Sequence, residues 1–177
     1  MHLDIKGRFE DIERQRVAVQ ESALALSEAQ RNWTPNPDLW SVGLIVEHLV
    51  LSDEHIGRAQ DGASTQKEEL MFRILPRSVR RALILGALKR DMVLPLPSSD
   101  IEPRSGVPLS ELLWRWERAR DETRRLLDEI QSRNLSYWHP VLGPLTVAQM
   151  LELAYVHTAY HTRQIEVLRR NTAFPVQ

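Results

Sequence analysis

Apolar residues recur along most of this chain at intervals of three and four. Between Leu3 and Ala29 they fall at Phe9, Ile12, Val19, Ala23 and Leu26, while Glu10, Glu13 and Arg14 take other faces. That spacing keeps one side of a helix apolar and predicts a first amphipathic helix. Pro35 and Pro37 break the stretch from Asn32 to Leu39. Ser41 then stands where an N-cap belongs. A second helix is predicted over Val42–Arg58, with Ile45, Leu49 and Ile56 on one stripe. From Glu69 to Arg90 the pattern is less regular. Met71, Phe72, Ile74 and Leu75 precede Pro76, and Val79, Leu83, Leu85 and Leu88 follow it, which predicts two short helices. Residues 91–108 hold Pro95, Pro97, Pro103 and Pro108 with little period, and read as a long crossover packed over something. Pro108 is well placed to begin a third helix, whose seam runs through Leu109, Leu112, Trp116, Thr123, Leu126 and Ile130. A turn-rich stretch, His139 to Pro144, comes next. Thr146 and Gln149 then form a capping-box pair for a fourth helix. There Val147, Leu151, Ala154, Thr158, His161, Ile165 and Leu168 alternate by four and three, the spacing of bundle packing.

These elements predict an all-α fold: a four-helix bundle with a long crossover between the second and third helices that carries short extra helices. Seven glycines and few alternating Val/Ile/Thr runs argue against strands. At 177 residues the chain is expected to be one domain, 1–177, with an insert or lid over about 66–107. Its 23 Lys+Arg nearly balance 24 Asp+Glu, so the net charge of −1 removes the footprint of a general nucleic-acid binder. No apolar run reaches about 18 residues, and no stable membrane insertion is expected. The first dozen residues lack the apolar core of a signal peptide, and the expected compartment is the cytoplasm. Arg73, Arg77, Arg80, Arg81, Lys89 and Arg90 lie in a stretch with no acidic residue. A lid with its apolar face on the bundle and its charges solvated is favoured over a membrane-contacting helix. The apolar residues of 70–94 would also serve as the interface of a homodimer.

The absence of cysteine excludes disulfides, thiolate metal sites and a cysteine nucleophile. Six histidines remain. His157 and His161 are four residues apart on the fourth helix, so they share a face about one turn apart, suited to holding one metal ion. The pair alone is a weak signal, since a seam histidine is usually a hydrogen-bonded core residue. His48, beside the stripe of Ile45 and Leu49 on the second helix, is the candidate third ligand. His55 lies about 10 Å further along, too far to bind the same ion, and reads as a rim residue. His2 is at the chain end. His139, before Pro140, is expected to serve a turn, although it lies close enough in sequence to the fourth helix to approach the site.

Three blocks carry a resemblance. Trp40-Ser-Val-Gly-Leu-Ile-Val-Glu-His48-Leu49, His139-Pro-Val-Leu-Gly-Pro-Leu-Thr-Val-Ala-Gln149 and Tyr155-Val-His157-Thr-Ala-Tyr-His161-Thr-Arg-Gln164-Ile165 resemble, in order, the second-helix start, the last-helix entry and the HxxxHxxQI ending of DinB/YfiT-like proteins. The resemblance implies a four-helix bundle with a divalent metal held by His48, His157 and His161. It also implies activities of the kind assigned in that family: thiol-dependent bacillithiol transferases and mycothiol-dependent maleylpyruvate isomerase, alongside proteins labelled metal-dependent hydrolases.

Three neutral imidazoles would leave a divalent ion with open positions, the catalytic rather than the structural pattern. Nickel, zinc and iron all accept imidazole. Such an ion would lower the pKa of a thiol for attack on an electrophile, or of water for hydrolysis. The first route needs a low-molecular-weight thiol cosubstrate, because the chain has none. A third reading is a non-enzymatic metal- or ligand-binding stress-response protein. Glu47, Tyr160 and Gln164 are candidates to support the ligands. Among the five tryptophans Trp116 reads as core. Tyr137, Trp138 and His139, near the turn, are the better candidates to line a pocket for a small-molecule substrate.

Overall fold

The computed structural model describes residues 3–58, 75–104, 106–133, 137–139 and 141–176. The expected helix ahead of Pro76, and His2, lie outside the described residues. Four long helices form the bundle: α1 (Leu3–Leu24), α3 (Val42–Arg58), α5 (Leu109–Arg133) and α6 (Val147–Arg169). Between them come a short α2 (Glu28–Asn32), α4 (Arg77–Lys89), a 3-10 turn at Ser99–Ile101, and the strands β1 (Tyr137–His139) and β2 (Gly143–Leu145). The all-α reading holds. The most extensive helix pairings are α3 with α5 and α1 with α6, and α3 also meets α6.

Local chemistry sets the boundaries. The expected first helix does not run through to Ala29; it stops at Leu24 and restarts at Glu28. Ser27 Oγ accepts the Gln30 amide at 3.3 Å, and Gln30 Oε1 accepts the Ser27 amide at 2.9 Å. This reciprocal capping box offers the backbone a new start, which apolar periodicity alone does not register. Ser41 Oγ accepts the Leu44 amide at 3.3 Å, as its N-cap position requires. The expectation of no strands is corrected. Tyr137–His139 pairs antiparallel with Gly143–Leu145, with Trp138 opposite Pro144. Three residues per strand are too few for alternation to show. The turn also needs a left-handed residue, which Gly143 provides at φ +72°.

Thr146 and Gln149 form the expected box at the start of α6: Thr146 Oγ1 accepts the Gln149 amide at 3.3 Å and Gln149 Oε1 accepts the Thr146 amide at 3.0 Å. Thr146→Ala is expected to cost about 1 kcal/mol. Urea unfolding would show this as a lower midpoint with an unchanged slope; an unchanged midpoint would mean that the cap contributes nothing.

Two apolar clusters fill the bundle. One joins Val19, Ala23, Ile45, Leu49, Trp116 and Ile165; the other joins Phe9, Ile12, Leu127, Leu142, Met150 and Leu151. A buried charged network also ties the helices together. Arg120 Nε donates to Glu13 Oε1 at 2.6 Å, and Trp116 Nε1 donates to Asp53 Oδ2 at 2.6 Å. Asp53 belongs to α3 and also accepts from Arg120 Nη1 at 3.5 Å, so the bonds to Asp53 help to fix the rotation of the helix that presents His48.

The crossover covers α6. Leu85 and Leu88 of α4 pack on Val156 and Tyr160. Arg163 of α6 bonds Asp91 at 2.7 Å and the Leu88 carbonyl at 2.8 Å, closing the end of α4 onto the bundle. The basic stretch is not uniformly solvated. Arg77, Lys89 and Arg90 are exposed, but Arg80 is buried and donates to the Val141 carbonyl at 2.7 Å. Among the described residues no helix is long and apolar enough to cross a membrane.

Candidate metal centre

His48 comes from α3 and His157 and His161 from α6, at the crossing of the two helices. His48 and His161 are buried, and His157 is half-buried at a cavity wall. His157 Nε2 lies 3.1 Å from His48 Nε2 and 3.1 Å from His161 Nε2. One nitrogen from each ring lies within 4.8 Å of the other two.

The far side of two rings decides what these nitrogens carry. His48 Nδ1–H donates to the Ile101 carbonyl at 2.8 Å. Gln164 Nε2 donates to the Tyr160 hydroxyl at 2.7 Å, which turns Gln164 Oε1 toward His161 Nδ1–H, also at 2.7 Å. Both rings therefore keep their proton on Nδ1 and aim an Nε2 lone pair at His157. A single proton on His157 Nε2 can satisfy only one of them. A cation among the three satisfies all. Two imidazole nitrogens at about 2.0–2.1 Å from a shared ion, with bond angles between right and tetrahedral, would be about 2.8–3.4 Å apart. The two 3.1 Å spacings from His157 fall within that range, and with all three nitrogens within 4.8 Å of one another the set suits a divalent metal once His48 and His161 draw together.

The electrostatics favour the neutral, ligating form of all three. Burial lowers the His48 pKa, partly offset by the bond to Ile101. His157 is lowered well below the ordinary range, by burial first and then by His161 and His48. His161 falls to about 3, again mainly through burial. Trp40 shields the cluster from one side, its ring 4.8 Å from His48 and stacked 6.0 Å from His161.

The three candidate supporting residues are placed differently. Gln164 bonds a cluster histidine, and Tyr160 orients Gln164. Glu47 is buried and does not bond the histidines. It accepts the Arg104 amide at 3.0 Å, and its pKa is raised by burial. It thereby fastens the loop just beyond the Ile101 carbonyl that holds His48.

A cavity of about 680 Å³ opens over the cluster. Its walls are mostly apolar, with Ile56, Ile84, Leu94, Leu96 and Leu153 among them. Tyr137 and His139 line it; Trp138, next between them on β1, faces away. The buried Trp138 Nε1 has no hydrogen-bond partner among the described residues. His55 is at the cavity wall. Of the other tryptophans, Trp116 is core, Trp33 packs edge-on against Phe174 and Trp114 is exposed. The Ile101 carbonyl and the 94–98 wall carried no signal in the sequence. A backbone acceptor has no residue type, and a proline-rich crossover shows no face.

No curated protein and no solved structure gives a significant match to the chain. The family model of the DinB superfamily matches residues 11–165, which takes in all three cluster histidines, and the chain belongs to the DinB superfamily.

Proposed function

We propose that this protein is a metal-dependent S-transferase that joins a low-molecular-weight thiol to an electrophile, with His48, His157 and His161 as the metal ligands. The observation that carries the reading is the convergence of three Nε2 atoms, two with their tautomers set, beneath an apolar cavity in a chain without cysteine. A divalent ion held there, whether nickel, zinc or iron, would lower the pKa of a thiol at an open position and supply a thiolate at neutral pH. The Ile101 carbonyl and Gln164 hold the His48 and His161 rings in the ligating orientation. Trp40 and the apolar walls keep water away. A cytoplasmic setting, where such thiols stay reduced, suits this chemistry. A homodimer would form over the exposed Leu75, Val79 and Leu83 on and beside α4.

Hydrolysis is less well served. The carboxylates among the described lining residues are Asp38 and Asp91, and Asp91 is bound to Arg163. The test supplies bacillithiol, mycothiol, coenzyme A or cysteine with monochlorobimane, with and without added metal. Metal-dependent conjugation with at least one thiol, lost in His48→Ala, is the expected result. No conjugation with any of them at full metal occupancy would exclude the reading. Ester hydrolysis that tracks metal loading would then favour the hydrolase, and no turnover at all would favour a binding protein.

A further inference from the structure

His139 stands apart from the three-histidine cluster. Its Nδ1 accepts two backbone amides of its own turn, Val141 at 3.1 Å and Leu142 at 3.2 Å. A ring nitrogen that accepts cannot carry the proton, so the neutral ring bears it on Nε2. Nε2 has no protein partner among the described residues, and the ring lines the cavity. Burial keeps His139 neutral, lowering its pKa to about 4, with His55 adding to the effect. The cavity thus holds one N–H whose direction is set by the turn.

The cavity that this donor faces is mostly apolar, with Ile56, Ile84, Met150 and Leu153 in its walls, and His55 is the titratable group that acts on the ring. An N–H that faces the cavity without a protein acceptor is open to a ligand oxygen, and a ligand that brings one to an otherwise apolar chamber gains a hydrogen bond there. The charged lining groups restrict the ligand further. Among the described lining residues outside the histidine cluster the cation is Arg163, and Asp91 and the Leu88 carbonyl already engage it, so no free cation there draws a carboxylate.

We propose that the cavity takes a neutral, largely apolar molecule with a carbonyl oxygen, and that the Nε2–H of His139 holds that oxygen. This names the class of electrophile, and it rests on the reading above only in treating the cavity as the substrate chamber.

Two substitutions separate the turn from the donor. His139→Asn places an amide oxygen near the Nδ1 position, keeping the turn acceptor and removing the cavity donor. His139→Gln places an amide N–H near the Nε2 position, keeping the donor. The probes are benzylacetone and n-butylbenzene, which share an apolar body and differ in the carbonyl. Dissociation constants are read by titration of tryptophan fluorescence, since Trp40 lines the cavity. The native protein is expected to prefer benzylacetone roughly fivefold, the worth of a neutral buried hydrogen bond. The Asn variant is expected to lose this preference without losing affinity for n-butylbenzene, and the Gln variant to retain it. A preference that survives in the Asn variant, equal binding of the two probes by the native protein, or binding of neither would overturn the proposal. The titration needs no turnover. If thiol conjugation fails while the preference still collapses in the Asn variant, the transferase reading falls and the ligand assignment stands.

Discussion

Replacing His157 with alanine is expected to weaken divalent-metal binding by more than about 100-fold, beyond the range seen when only a partner of a ligand is lost. His157 Nε2 is the shared vertex of the cluster, 3.1 Å from each of the other two Nε2 atoms. Its removal leaves two lone pairs with no common neighbour. His48→Ala and His161→Ala are expected to have effects of the same order. Gln164→Leu should cost less, about 10- to 100-fold, because the ring remains but loses the acceptor that fixes its tautomer. His55→Ala should leave binding unchanged. Elemental analysis after dialysis and competition with a chromogenic chelator give the values. Native metal content in all three alanine variants at the cluster would remove the site assignment.

The second large effect is acid destabilisation of the metal-free protein. The bundle should fold without metal, because its two apolar clusters do not depend on the histidines. It must, however, bury imidazoles in neutral form. His161 titrates at about 3 and His139 at about 4 in the fold, both lowered chiefly by burial from an ordinary 6.5. Below 6.5 the unfolded chain takes up protons that the folded protein refuses, so stability falls with pH. The contribution is complete above 6.5, shrinks as pH drops, and is exhausted near the folded values. At pH 5 each of the two groups has given up about 2 kcal/mol, at about 1.4 kcal/mol per pH unit. Glu47, with its pKa raised by burial, acts in the opposite direction and offsets part of the loss. Urea midpoints at pH 7.5 and pH 5 measure the difference, and His161→Gln should reduce it. A midpoint that does not move between these pH values would contradict the burial of neutral histidines. Added metal should steepen the dependence, because protons compete for the same nitrogens.

The helices were legible wherever local signals agreed. The second helix starts where Ser41 puts it, and the fourth starts at its Thr146–Gln149 box. The break at Leu24 and the hairpin were not read, and for related reasons. Ser27 and Gln30 form a reciprocal bond that apolar periodicity passes over, and strands of three residues are too short to show a period. The His157–His161 pairing was legible because one helical turn separates them, whatever the rest of the chain does. The family resemblance was legible as well, since its blocks are contiguous residues.

The remainder depended on packing between distant segments. Whether His48 meets the pair depends on how α3 and α6 cross, and Arg120, Asp53 and Trp116 help to set that through bonds spanning more than sixty residues. Trp138 and His139 are neighbours in sequence, yet only His139 lines the cavity, because the β1 pairing sends alternate side chains to opposite faces. Glu47 looked like a partner of the adjacent histidine and instead holds the Arg104 amide. By itself the sequence determined the helical class, the heptad-like seams and the local histidine pair, because these follow from spacings of three and four. Only the tertiary structure decided which nitrogens carry protons and which carry lone pairs. Tautomers are set by acceptors such as the Ile101 carbonyl and donors such as the Val141 amide, and a backbone group leaves no mark in a residue type.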